Sequence, residues 1–120
     1  MGYLNKWWGA IVVAPVFFLA PLVFAHHSEA GFDTDKVVSF VGTVVEYSWR
    51  NPHVYIDIEN FDSLNRRTIW EIETGATPIM RRSGWSPDSL VAGDVVSIRA
   101  HPERDTRRNY ALLISLEKEN

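Results

Sequence analysis

Beyond residue 36 the apolar positions recur mostly at every second residue, the period of strands with one face buried. Val54, Ile56 and Ile58 alternate strictly with Tyr55, Asp57 and Glu59. That pattern predicts a half-buried strand. Thr68–Thr74 returns after the polar loop Asn60–Arg67, with Trp70 and Ile72 pointing inward. Val95–Ala100 and Tyr110–Glu117 read as two further strands, the last with Tyr110, Leu112, Ile114 and Leu116 on one face. The first strand, Val37–Trp49, changes parity along its length. Val38 and Phe40 share one face, whereas Val45, Tyr47 and Trp49 share the other, and Gly42 lies between them. A change of parity at a glycine predicts a bulge or a sharp bend.

The segments between the strands carry turn and helix signals. Arg50-Asn51-Pro52 is a turn, because proline fixes its own φ and moves the preceding residue out of the helical region. Thr77-Pro78 opens a short helix with Thr77 as N-cap and Pro78 in the first turn, and Gly84 closes it. The order is therefore long bent strand, strand, strand, short helix, strand, strand. This predicts an all-β fold with one short helix, a small five-stranded barrel of the oligonucleotide/oligosaccharide-binding (OB) type. A small β-sandwich is the alternative. The expected core holds Phe40, Ile56, Ile58, Trp70, Ile72, Ile98 and Ile114.

The start of the chain is different. Trp7–Phe24 carries no charged residue and follows a single basic residue, Lys6, while Val23 and Ala25 place small residues where a signal peptidase cuts. Residues 1–25 are expected to be a secretory signal peptide, residues 26–36 an N-terminal arm, and residues 37–120 the barrel. The alternative for residues 1–25 is an uncleaved anchor that leaves the domain on the inner membrane, facing the periplasm. Periplasmic or otherwise exported placement follows from either reading. Cleavage after Ala25 leaves 11 basic and 15 acidic residues, a net charge of 11 − 15 = −4. A mildly acidic domain has no global attraction for phosphate backbones, so nucleic acid is not expected as a partner. The chain has no cysteine, which excludes disulfides, thiol catalysis and thiolate metal sites.

The strings Ala25-His26-His27-Ser28, Trp49-Arg50-Asn51-Pro52-His53, Arg82-Ser83-Gly84-Trp85 and Leu90…Gly93-Asp94-Val95 resemble a bacterial family of small exported proteins known only as a domain of unknown function. The resemblance spans essentially all of residues 26–120. It implies an exported, OB-like domain in a bacterial envelope, and it brings no established activity, substrate or cofactor.

Candidate chemistry rests on the histidines. With cleavage after Ala25, His26 carries a free α-amine, which chelates a metal together with its own ring; a further imidazole completes a site suited to copper. His27 is adjacent, and His53 follows the Asn51-Pro52 turn, which can aim its ring. His26, His27 and His53 are thus the candidate metal ligands, against the plain alternatives of a solvated tail and a histidine bonded to a neighbouring carbonyl. Trp49, Tyr55, Trp85, Glu71 and Glu73 form a candidate aromatic and acidic surface for an envelope protein or a small ligand. Asp57, Glu59, Glu71 and Glu73 are expected on one outer face, with Arg50 or Arg99 or a metal offsetting their repulsion. No phosphate-binding glycine loop, serine-nucleophile motif or metalloprotease motif is present, so no catalytic residue is assigned and an enzyme is the least supported class. Two readings stand: an exported small-domain binding protein that takes copper at its new N-terminus, and a non-catalytic OB-like adaptor.

Overall fold

The computed structural model describes residues 29–119. Five strands, β1 (Val38–Ser48), β2 (Tyr55–Phe61), β3 (Arg67–Glu73), β4 (Val95–Pro102) and β5 (Tyr110–Lys118), close a barrel in the order β1-β2-β3-β5-β4. Helix α1 (Thr77–Arg82) follows β3. The β3–β5 pair is parallel and every other pair is antiparallel. This is the expected OB-like barrel and not a sandwich: closure comes from β1, which pairs with β2 on one edge and β4 on the other.

The interior is filled by alternate residues, as a small barrel requires. Val44, Ile56, Ile58, Ile72, Val96, Ile98, Ala100 and Ala111 are buried, and Phe40, Trp70, Leu113 and Leu116 pack against them. Phe40 and Trp70 meet with ring centroids 5.3 Å apart. Ile114 does not belong to this core. The register between β4 and β5 shifts after Arg99, which pairs with Ser115, to Ala100, which pairs with Leu113. Ile114 is the extra residue of that bulge and is 41% exposed. A single inserted residue reverses parity, so Leu113 and Leu116 face inward in place of the expected Leu112, Ile114 and Leu116 row.

The parity change in β1 is real but lies further along than expected. Register shifts between Val44 and Glu46, so Val45 bulges outward and Tyr47 returns to the core side. Gly42 has another role. A Cβ placed there would sit 2.5 Å from the Glu59 carbonyl oxygen and 2.5 Å from Ile58 Cγ2. This is the point where β1 transfers from β4 to β2; the next residue, Thr43, pairs with both Val95 and Glu59. Only glycine lets the two backbones approach so closely.

Helix α1 is capped from outside its own sequence. Its N-cap is Ala76, not Thr77, and no side chain of the cap bonds the first turn. Asn51 supplies the missing acceptor: its Oδ1 takes hydrogen bonds from the Thr77 backbone N (3.1 Å) and from Thr77 Oγ1 (3.0 Å). The turn between β1 and β2 is thereby fastened to the start of α1. Residues before β1 are fastened too. Phe32 is buried and bridges to Glu103, and the Asp33 N–H donates to the Pro102 carbonyl at 2.8 Å.

Candidate functional site

Fixing the β1–β2 turn places His53. The preceding Asn51 is held by Thr77, and the following Val54 is fully buried, its N–H donating to the Gly75 carbonyl at 3.0 Å. Between these anchors, His53 Nδ1 lies 3.0 Å from the Thr74 carbonyl oxygen and 3.1 Å from Glu73 Oε1. A carbonyl oxygen only accepts, so Nδ1 must carry the proton. In the neutral ring the lone pair is then on Nε2. His53 thus presents a fixed tautomer with one ring nitrogen free for a ligand, in the arrangement by which carboxylates and carbonyls orient metal-binding histidines.

Glu73 points outward by strand parity yet is only 6% exposed. It was expected on a solvated outer face; instead the β1–β2 turn and Tyr110 cover it. Its Oε2 accepts from the Tyr110 hydroxyl. Burial, together with that bond to a carboxylate, pushes the Tyr110 phenol far above its usual range. Phe32 stacks on Tyr110 at 5.5 Å, and the Arg108 guanidinium sits 4.5 Å from its ring centroid while pairing with Glu103. Neither Tyr110 nor Phe32 was singled out as a site residue from the sequence. Their contribution depends on the parallel β3–β5 register, in which Glu71 pairs with Tyr110 and Glu73 with Leu112.

Two clefts share His53 and Glu73 as a common wall. The larger, about 690 Å³, runs between α1 and β5 and is lined by Ile79, Met80, Leu113, Leu116 and Trp85, with Glu29 also on it. The smaller, about 300 Å³, is lined by Gly31, Phe32, Tyr55, Glu103 and Tyr110. Of the candidate surface residues, Tyr55 and Glu73 therefore stand beside His53, and Trp85 borders the same large cleft as Glu73. Trp49 and Glu71 line neither. Trp49 packs on Tyr47 at 6.0 Å with Arg81 5.5 Å from its centroid. Glu71 is exposed on the outer face, opposite Asp57, which in turn lies opposite Glu46. Partial burial, followed by the Glu46 charge, raises the Asp57 carboxyl, and Arg50 opposes the shift. The expected arginine offset is thus met at Arg50, while Arg67 pairs with Glu59 at 2.8 Å. Arg99 has no part in it, being on β4 opposite Ser39 and Ser115.

His26 and His27 lie outside the described residues. Among the described residues no group of three or more His, Asp or Glu side chains is placed to hold a metal ion.

The family comparison reaches most of the chain, matching residues 16–111. The chain belongs to DUF6152, a family of unknown function. No curated protein matches this DUF6152 chain. Among solved structures it is similar to the mitochondrial single-stranded DNA binding protein Rim1 of S. cerevisiae, at 12% identity over 69% of this chain and 92% of that one, with a TM-score of 0.51. It is also similar to a chain of the S. pombe Stn1-Ten1 complex, at 10% identity over 70% of this chain and 58% of that one, with a TM-score of 0.52. At such identities the likeness is one of fold. It nevertheless corrects the expectation that nucleic acid is excluded. A single-stranded DNA binding protein is built on this barrel, and a net charge summed over a whole chain does not describe one face of it.

Burial also acts on a second phenol, beside Trp85. Tyr47, whose hydroxyl donates to the Ser86 carbonyl at 2.9 Å, has its phenol pushed up by burial to about 12. A folded-state value above the unfolded one means that the unfolded chain loses this proton first as pH rises. Stability should therefore hold up to about pH 10 and fall between there and about pH 12, with Tyr110 acting in the same direction. Urea melts across pH 9–12 on the wild type and on Tyr47→Phe/Tyr110→Phe test this. The double variant should lose the steeper part of the decline, and identical slopes would refute it.

Proposed function

We propose that this is an exported periplasmic binding protein that holds a copper(II) ion between an N-terminal His26 and His53. The observation that carries the reading is the hydrogen bonding of His53 Nδ1 to Glu73 and the Thr74 carbonyl, which leaves Nε2 as the free ring nitrogen. A second feature supports it. Glu29 borders the same cleft as His53, and the three residue steps from it back to His26 span at most about 11 Å. The α-amine and ring of His26, with the ring of His53, make a nitrogen-rich set that favours copper(II) among divalent first-row ions. His27 is the alternative source of the second imidazole.

Copper(II) titration of the exported protein, followed by electron paramagnetic resonance, tests the proposal. The mature chain should begin at His26 and bind one ion more tightly than zinc, with binding that weakens as pH falls through the imidazole range. One extra residue before His26 should weaken binding, as should His53→Ala. Glu73→Gln should cost about 10–100-fold through the orientation of His53. Equal copper binding by the extended and native starts would end the chelate reading.

A second reading has its own observation. Arg50 lies 5.6 Å from the Tyr55 ring centroid and Arg108 lies 4.5 Å from that of Tyr110, so cations and aromatic rings stand together beside the small cleft. Single-stranded nucleic acid is bound by such combinations of stacking and charge. Fluorescence anisotropy with a labelled oligothymidylate tests it: salt-sensitive binding lost in Arg50→Ala and Arg108→Ala supports it, and none at low salt removes it.

A further inference from the structure

A metal ion at His53 would use only the polar end of the large cleft. Most of the remaining lining is apolar, with Ile79 and Met80 from α1 facing Leu113 and Leu116 from β5, and Trp85 beside them. Ile79 is half exposed, so this wall is open to solvent. A concave apolar surface with a few polar groups at one end is the form in which proteins hold small organic ligands.

The polar end is acidic. Glu29, Glu73 and His53 all border the cleft, and no lysine or arginine lines it among the described residues. Glu29 lies two residues before Gly31, which shares the small cleft with His53 and Glu73, so both carboxylates belong to the same end. Glu73 is almost wholly buried. Its oxygens meet the Tyr110 hydroxyl and the His53 ring, and among the described residues neither Lys nor Arg pairs with it. A buried carboxylate that lacks a cationic partner gains from one. An ammonium group carries donors only and complements such an acceptor. From there the apolar wall follows β5 from Leu112, the partner of Glu73, to Leu116. That is about 13 Å of strand, the length of an alkyl chain of about ten carbons. We propose that the large cleft binds an amphipathic organic cation, its ammonium group at Glu73 and Glu29 and its hydrocarbon chain along Ile79, Met80, Leu113 and Leu116 toward Trp85. The site goes beyond the copper reading and is independent of it, since it needs neither a metal nor a particular first residue.

The test is isothermal titration calorimetry on the exported protein with all metal chelated, using decylammonium below its micelle-forming concentration. Decylammonium should bind one per chain. Decanoate, of similar length and opposite charge, should bind at least about tenfold more weakly. Butylammonium keeps the charge and loses most of the chain; at about fourfold per buried methylene it should bind at least about a hundredfold more weakly. Ile79→Lys sets a cation on the apolar wall at an exposed helix position, and should abolish binding while leaving the urea melt intact. Glu73→Gln should narrow the gap between decylammonium and decanoate. Equal affinities for those two probes overturn the proposal, as does decylammonium binding that survives Ile79→Lys, or its absence up to the micelle-forming concentration. A gap unchanged in Glu73→Gln overturns it as well. Affinity that falls as protein concentration rises overturns it in favour of a second copy seated in the cleft.

Discussion

Replacing Ile56 by alanine should destabilise the domain by about 2–5 kcal/mol, as full truncation of a buried isoleucine does. Ile56 has no exposed surface and sits at the centre of the β1-β2-β3 sheet, paired with Tyr47 on one side and Ile72 on the other. Its neighbours are held by strand pairing and cannot collapse into the space left behind, so both the transfer and the cavity contributions should be felt. Ile114→Ala is the matched control. The same side chain removed from the outward bulge of β5 should change stability by no more than about 0.5 kcal/mol. Urea denaturation of the two variants measures the contrast. An Ile56 variant within about 0.5 kcal/mol of the wild type would mean that the inward parity of β2 is wrong.

Gly42→Ala should cost about 1–3 kcal/mol, the range for forcing extra atoms into a packed site. The new methyl would meet the Glu59 carbonyl oxygen at 2.5 Å, and backbone in the middle of a paired strand has little freedom to retreat. Ile58 Cγ2, equally close, belongs to a fully buried side chain. Gly31→Ala offers the comparison, since nothing lies within 4 Å of a Cβ there. It should be close to neutral. Denaturation curves for both decide the matter, and a neutral Gly42→Ala would show that β1 crosses from β4 to β2 with more room than its backbone suggests.

These two positions also show what the sequence could and could not say. The strands, their order and the helix were legible because alternation is a local signal that repeats within each segment. Ile56, Ile58 and Ile72 were placed correctly for that reason. The bulges were legible only in part: the parity change of β1 announced one without placing it at Val45, and nothing in β5 announced the one at Ile114. One extra residue at Val45 or Ile114 reverses the faces of everything after it, and no local residue type marks the spot. Gly42 drew attention as the marker of a bend when its small size serves a close crossing. Helix capping by Asn51 was misassigned to Thr77 because the acceptor comes from a residue 26 positions away. His53 and Glu73 were each noticed, but not as partners. Their meeting, and the cover supplied by Tyr110 and Phe32, is a product of strand register and closure, which a local pattern does not contain.

The three-pair run between β3 and β5 is the shortest join in the barrel wall. A cylinder held shut over so short a length should open there first, with β3 and β5 drawing apart while the antiparallel hairpins persist. His53 and Glu73 on one bank, and Tyr110 and Leu113 on the other, border the same clefts beside that join. Whatever is bound across it acts as a latch on the opening motion. Occupancy would then govern how quickly the protein is lost to proteases as much as how firmly it is folded at equilibrium.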